Sequence, residues 1–327
     1  MTPEELRRWG RYAESSPIYM AIVEAMADDP WLMGVLNEMK HTPAPNILLG
    51  AVALILGQSP DHDLAAYYPN LSTDPLPPGG IAGPFRRFVE EHEEAIVQIG
   101  RTRYTQTNEC RRCVALVPGI WAGSFDRFHL VDVGTSAGLN LALDQYRYHW
   151  DGVTWGPRSA VRLATESRGQ LPIPRDLQIP SRIGLDLNPI DTTDPEELAW
   201  LEALIWPEHH ERRERLTSAW ALARAVDIEM VAGDAVGTLP SVLERLPAGE
   251  PAVVMSSLTI NQLPKPSRSI LDDVIEEARS SRPLLRVSLE IVEDGDWATL
   301  SVDEGEGATR VGRADPHGEW VELYALP

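Results

Sequence analysis

Cysteine is nearly absent. Cys110 and Cys113, in TNECRRCVALVPG, are the only two in 327 residues. Two thiols do not complete a zinc site, and no neighbouring His or Cys supplies the missing ligands at a usual spacing. A thioredoxin-like pair should follow a strand, and the preceding segment does not read as one. The expectation is two thiols on one helix, with no metal. Long apolar runs are missing too. The longest, NILLGAVALILG at 46–57, is too short for a bilayer and reads as a buried helix. The N-terminal MTPEELRRWG has no apolar h-region, so no signal peptide is expected. These absences point to a soluble, cytoplasmic protein with no membrane partner. Nor is there a basic stretch. The net charge is −20, and ERRER at 211–215 is mixed in sign and reads as a solvated helix face. Such an average field repels DNA or RNA, leaving a small molecule or a protein as the expected partner.

What is present is a substantial apolar share, 43%, in a chain long enough for one large domain or two modest ones. The 27 prolines and 24 glycines punctuate apolar segments that recur along the whole chain, which indicates many connections rather than disorder. Two rhythms divide it. Before about residue 125, segments such as TPEELRRWGRYA, PIYMAIVEAMA, PFRRFVEEHEEAIVQIG and NECRRCVALVPGI repeat apolar residues every three or four positions. Ile18, Ile22 and Ala25 or Met26 share one side. The spacing predicts an all-helical region over 1–125. From Phe128 the pattern alternates: strands at FHLVDV, SRIGLDLNP, DIEMVAGD, PAVVMSSLTI and LLRVSLEIV, with helices between. Asp194-Pro195-Glu196-Glu197 has the cap, proline and acids of a helix start. The alternation predicts a mostly parallel sheet over 126–327. WATLSVDE and EWVELYAL then suggest an antiparallel hairpin at its edge.

The first strand runs into LVDVGTSAGLN, which admits three readings. G-x-S-x-G fits a hydrolase elbow with Ser136 as nucleophile, His317 as late base and Asp294 or Asp296 as its acid. Against it, the preceding region looks helical, and PPGG at 77–80, the one segment resembling an oxyanion loop, follows no strand. A dinucleotide loop G-x-G-x-x-G needs glycine where Ser136 and Leu139 stand. The third reading needs only D-x-G-x-x-x-G: Asp132, Gly134 and Gly138, with Thr135, Ser136 and Ala137 all small. A helix starting near Ala137 or Gly138 would point free N–H groups at a ligand and favour a carboxylate.

Those residues resemble the first motif of class I S-adenosylmethionine (SAM) methyltransferases. The resemblance implies a Rossmann-like sheet and SAM as cofactor. It implies that Asp186, ending the second strand, takes the ribose hydroxyls and that Asp234, ending the third, lies near the adenine amino group. SSLTINQLP, after the fourth, is where catalytic or substrate groups lie in that family. Over longer stretches, TQTNECRRC, VDVGTSAGLNLALDQYRYHW, GLDLNPIDTTDPEELAWLEALIWPE and GDAVGTLP resemble an uncharacterised bacterial family, one of the domains of unknown function. Its members pair a helical N-terminal region with a methyltransferase-like half.

A cationic sulfonium and ammonium suit a site lined by Asp132, Asp186 and Asp234, with Asp132 near the methionine portion and Gly134, Ser136 and Gly138 shaping the loop. The expected activity is methyl transfer to a small-molecule or protein acceptor; a non-catalytic SAM- or nucleotide-binding scaffold is the alternative. Catalytic candidates are Asn261, Gln262 and Glu109. Tyr104, Gln106, Asn108, Glu109 and Arg112 form a polar cluster before the first strand that reads either as a cap and solvated face or as a wall over the cofactor. Residues 145–180 read as an insertion, a lid or the contact of a homodimer. Within it QYRYHWDGVTWG is a hairpin turning at Asp151-Gly152, and AVRLATES a further strand. Tyr146, Tyr148, Trp150 and Trp155 either pack there or line an acceptor pocket. The missing helix between LLRVSLEIV and WATLSVDE leaves one sheet face thin or covered by the N-terminal helices.

Overall fold

Proline and a capping side chain begin the first helices. The computed structural model describes residues 1–291 and 295–324. α1 (Pro3–Gly10) starts with a capping box between Thr2 and Glu5; α2 (Pro17–Ala27) is capped by Ser16 and α3 (Pro30–Asn37) by Asp29. Ile18, Ile22 and Met26 are all buried, as their spacing predicts. α4 (Ala44–Gly57) is the long apolar run. The single helix expected over 84–100 is two, α5 (Ala82–Glu91) and α6 (Glu93–Thr102), broken at His92, whose backbone leaves the helical region.

The chain forms two compact units, Met1–Thr107 with Asp194–Glu214 and Asn108–Thr193 with Arg215–Pro327. The first holds α1 to α6. α7 (Cys113–Ala122) belongs to the second, with β1 (His129–Val133), β2 (Arg147–Trp150), β3 (Val153–Trp155), β4 (Arg162–Ala164), β5 (Glu166–Gly169) and β6 (Arg182–Asp186). α8 (Pro195–Ala203), started by Asp194 as the sequence predicts, lies in the first unit, and α9 (His210–Ala223) contains the boundary. The second unit continues with β7 (Glu229–Ala232), α10 (Ala235–Arg245), β8 (Ala252–Ser257), α11 (Lys265–Arg279), β9 (Leu284–Glu290), β10 (Ala298–Asp303), β11 (Thr309–Ala314) and β12 (Trp320–Leu323).

Among the described residues the main sheet has nine strands in the order β5-β12-β11-β10-β9-β8-β1-β6-β7. β7, β6, β1, β8 and β9 are parallel neighbours, so their carboxyl ends share one edge. β10 to β12 are antiparallel, and β5 joins β12 in parallel. Alternation along β1 turns Val131 and Val133 into a core with Ile183, Leu185, Leu239 and Leu271, beneath α10 and α11. Asp132 therefore faces the opposite side. α7 packs on β9, β10 and β11, so close that a Cβ on Gly119 would meet Val287 at 2.8 Å. It covers the stretch where no helix was expected between β9 and β10. At the amino edge His129 bridges Ser181 (2.6 Å) and Glu250 (3.1 Å), tying the starts of three strands.

Three expectations change. The C-terminal pair of strands is three, because TRVGRA forms β11 and separates β10 from β12. AVRLATES splits: β4 joins β2 in a small sheet ordered β3-β2-β4, while β5 joins the main one. The segment after the glycine turn is a 3₁₀ run, Leu139–Gln145, interrupted at Ala142, rather than an α-helix. The hairpin at Asp151-Gly152 forms as read, with Gly152 at φ 78°. Its aromatics are core. Tyr146, Tyr148 and Trp150 are buried, Tyr148 and Trp150 stack at 5.0 Å, and both hydroxyls donate to backbone carbonyls.

Candidate functional site

Chain order reverses at β1: β6 and β7 extend to one side, β8 and β9 to the other. In open α/β sheets ligands bind outside the carboxyl ends of the strands at such a reversal. The Gly134–Gly138 turn stands there. Gly134 (φ 79°), Ser136 (φ 52°) and Gly138 (φ 72°) all take left-handed backbone, so the chain leaves β1 in a tight coil. A Cβ on Gly134 would collide with the Thr259 side chain, so the turn and the loop after β8 touch across the reversal.

The turn's N–H groups are not free. Gly134 and Thr135 donate to Leu185 O, Gly138 to Thr135 O, Ser136 to Asp186 Oδ2 (2.8 Å) and Ala137 to Asn108 Oδ1 (3.1 Å). This corrects the expectation of open N–H groups at a helix start, since no α-helix follows and each donor has an internal acceptor. Asn108 also donates through Nδ2 to Ser136 Oγ at 2.9 Å. The serine hydroxyl therefore sits against an amide. His317 lies in the turn after β11, its N–H on Asp315, and Asp296 is exposed; Asp294 lies outside the described residues.

Asp132 is 1% exposed, and among the described residues its Oδ2 completes no hydrogen bond. Burial pushes its pKa up to about 7. Thr135 nearby and Arg112 pull it back, while the carboxylates of Asp186 and Glu290 push it further. The Thr135 hydroxyl lies beside this carboxylate, and by strict geometry its Oγ1 has no other partner among the described residues. Asp186, ending β6, accepts Ser136 N–H at one oxygen and Asn188 N–H at the other. Asp234 lies past β7, exposed, with Oδ1 capping α10 through Val236 and Gly237. The three acids thus follow one another along the carboxyl edge, from a buried one on β1 to an exposed one beyond β7. A cavity of about 270 Å³ opens beside the turn, lined by Ala137, Thr192, Thr193, Arg224, Ile228 and Met230. That is near the lower bound of typical small-molecule sites.

The catalytic candidates separate. Glu109 is buried, and both its oxygens accept from Arg215 (2.9 and 3.1 Å). Gln262 is exposed and caps its own turn through Leu258 O. Asn261 has a buried Oδ1 with no partner, while its N–H donates to Glu290 at 3.3 Å. Of the polar cluster, Tyr104 and Gln106 fall in the first unit, where Tyr104 stacks on His41; Asn108, Glu109 and Arg112 fall in the second. Arg112 is buried, its guanidinium on Pro316 O and Ser257 O.

Glu290 was not singled out, although it ends β9 as Asp132 and Asp186 close their strands. It is 5% exposed and accepts the N–H groups of Thr259 and Asn261; burial raises its pKa, which those N–H groups moderate. Cys110 and Cys113 are buried free thiols whose pKa values burial raises, so both are held as unreactive thiol. Among the described residues no group of three or more His, Cys, Asp or Glu is placed to hold a metal, and no helix is long and apolar enough to cross a membrane.

A family model described as "Uncharacterized protein conserved in bacteria (DUF2332)" matches residues 3–323. No curated protein and no solved structure matches the chain.

Proposed function

We propose that this chain, which belongs to the DUF2332 family, is a SAM-dependent methyltransferase built on a Rossmann-like sheet and acting on a small-molecule or protein acceptor. The strand order β7-β6-β1-β8-β9, with a glycine turn after β1 and acids at the carboxyl ends of β1 and β6 and just past β7, supports the reading. One observation carries it: Asp132 Oδ2, buried and with no completed hydrogen bond among the described residues, beside the turn at the chain reversal. An orphaned carboxylate oxygen is costly to bury, and a cationic ligand group compensates it.

When bound, SAM supplies a methyl group already activated by its sulfonium. The chain's own part is placement. Asp132 lies opposite the cationic methionine portion. Asp186 retains a second lone pair on each oxygen for ribose hydroxyls, since each accepts one N–H. Asp234 Oδ2, not used in the α10 cap, accepts from the adenine amino group. Gly134, Ser136 and Gly138 shape the bend. Asn261 Oδ1 orients the acceptor, whereas Glu109 holds Arg215 and Gln262 holds its own loop.

A second reading, a binding scaffold without turnover, draws support from the internal engagement of every N–H in the turn. Calorimetry with SAM and with its demethylated product separates the outcomes. Asp186→Ala releases two backbone N–H groups and Asp186→Asn releases one, so Asp186→Asn is the milder variant. It should weaken SAM at least about tenfold, by loss of a charged acceptor. Binding of both ligands without methyl transfer across an acceptor screen favours the scaffold, and absence of binding by the unaltered chain overturns both readings.

A further inference from the structure

We propose that the Asn108 carboxamide occupies the place on the Gly134–Gly138 turn that an α-amino carboxylate takes, and so competes with it for that seat. Four of the turn's five N–H groups bond to Leu185, Asp186 or the turn itself, and releasing them would undo the bend. Ala137 N–H is different. Its acceptor is a side chain 29 positions away, Asn108 Oδ1. The same carboxamide reaches Ser136 Oγ through Nδ2, so its two heavy atoms cover two adjacent residues.

A carboxylate has the planar fork of a carboxamide, with two acceptors in place of one acceptor and one donor. Seated in place of Asn108, one oxygen accepts Ala137 N–H and the other accepts the Ser136 hydroxyl, which rotates to donate. The exchange leaves nothing in the turn unpaired and replaces neutral hydrogen bonds by charge-assisted ones. A separate observation fixes the rest of the ligand class. Asp132 Oδ2 and Thr135 Oγ1, at 1% and 5% residue exposure, lie beside each other and complete no hydrogen bond among the described residues. An ammonium beside the carboxylate brings three donors for such oxygens. SAM ends in this moiety, so the inference deepens the reading above and rests on it for the ligand's identity.

Asn108 is then a built-in competitor. Two variants separate this role from simple support of the turn, by isothermal titration of the full chain with SAM and with decarboxylated SAM. Asn108→Ala vacates the seat and should bind SAM about three- to tenfold tighter, because the occluded fraction disappears. Asn108→Asp leaves a carboxylate in the seat and should bind SAM more weakly by a similar factor. Asn108→Ala should leave affinity for decarboxylated SAM unchanged, and Asn108→Asp, which adds a negative charge, should leave that dication bound as tightly or more tightly. Unchanged or weaker SAM binding by Asn108→Ala overturns the seat while leaving the methyltransferase reading standing. Should that variant not fold, Asn108→Asp decides alone, and SAM affinity equal to the unaltered chain overturns the seat. Failure of all three proteins to bind either probe overturns this inference and the reading beneath it.

Discussion

Asp132 shows what one buried carboxylate does to the free protein. Its pKa lies near 7, against 3.8 ordinarily, because burial disfavours the charge. The folded chain therefore holds this proton more tightly than the unfolded chain. Stability from this group is full below about pH 4 and falls as pH rises to about 7, where the loss reaches an upper bound of about 4 kcal/mol. Asp132→Asn removes the titration. Its melting temperature should match the unaltered chain near pH 4 and exceed it increasingly up to pH 8. Glu290 is raised in the same sense and its carboxylate acts on Asp132, so the difference reports Asp132 together with that coupling. A constant offset between pH 4 and pH 8 in thermal denaturation would refute the assignment. Sequence made Asp132 visible as an acid ending an apolar strand. It did not reveal that Oδ2 completes no hydrogen bond among the described residues, since that depends on packing from elsewhere. Glu109 is the converse. It read as a catalytic candidate because its partner, Arg215, lies 106 positions away.

Elements were legible where periodicity or punctuation was strong. The parallel strands, the Asp151-Gly152 hairpin and the Asp194-Pro195 helix start follow from local pattern alone. β11 was missed because a glycine and charges break up ATRVGRAD, and its place comes from pairing with β10 and β12. The 3₁₀ run was missed because LNLALDQ has helical composition, while the backbone at Ala142 leaves the helix. The turn was read as allowing a ligand close approach, and in the structure Thr259 lies against Gly134. That contact makes a prediction. Gly134→Ala places a methyl against Thr259 and forces a non-glycine residue to φ 79°, a cost of about 1–2 kcal/mol from the backbone alone. With the collision added, the loss should reach about 3 kcal/mol in denaturant unfolding. Thr259→Gly removes the three colliding atoms, so the double variant should recover the collision part and retain the backbone part. Additive losses in the double-mutant cycle would show that the two loops do not meet there.

For the whole molecule the dominant quantity is a charge of −20, from 29 basic and 49 acidic side chains. Many of the arginines are already committed to carboxylates, as in Arg182–Asp144 and Arg86–Asp29, which leaves the uncompensated charge acidic. Such a field acts on any charged ligand before contact. SAM carries a sulfonium, an ammonium and a carboxylate, a net positive charge of about one at neutral pH, whereas its demethylated product is neutral overall. The two share nearly every contact, so they probe the field separately from the site. Raising salt from 0.01 to 0.1 M shortens the screening length from about 30 to about 10 Å, removing distant acids from the attraction but leaving adjacent buried ones. SAM affinity should therefore fall about threefold or more over that range, and product affinity should hold nearly constant. Calorimetry at both salts measures each slope. Parallel slopes would mean that the acidic surface does not act on the ligand and that its charge is met only by the acids at the carboxyl edge.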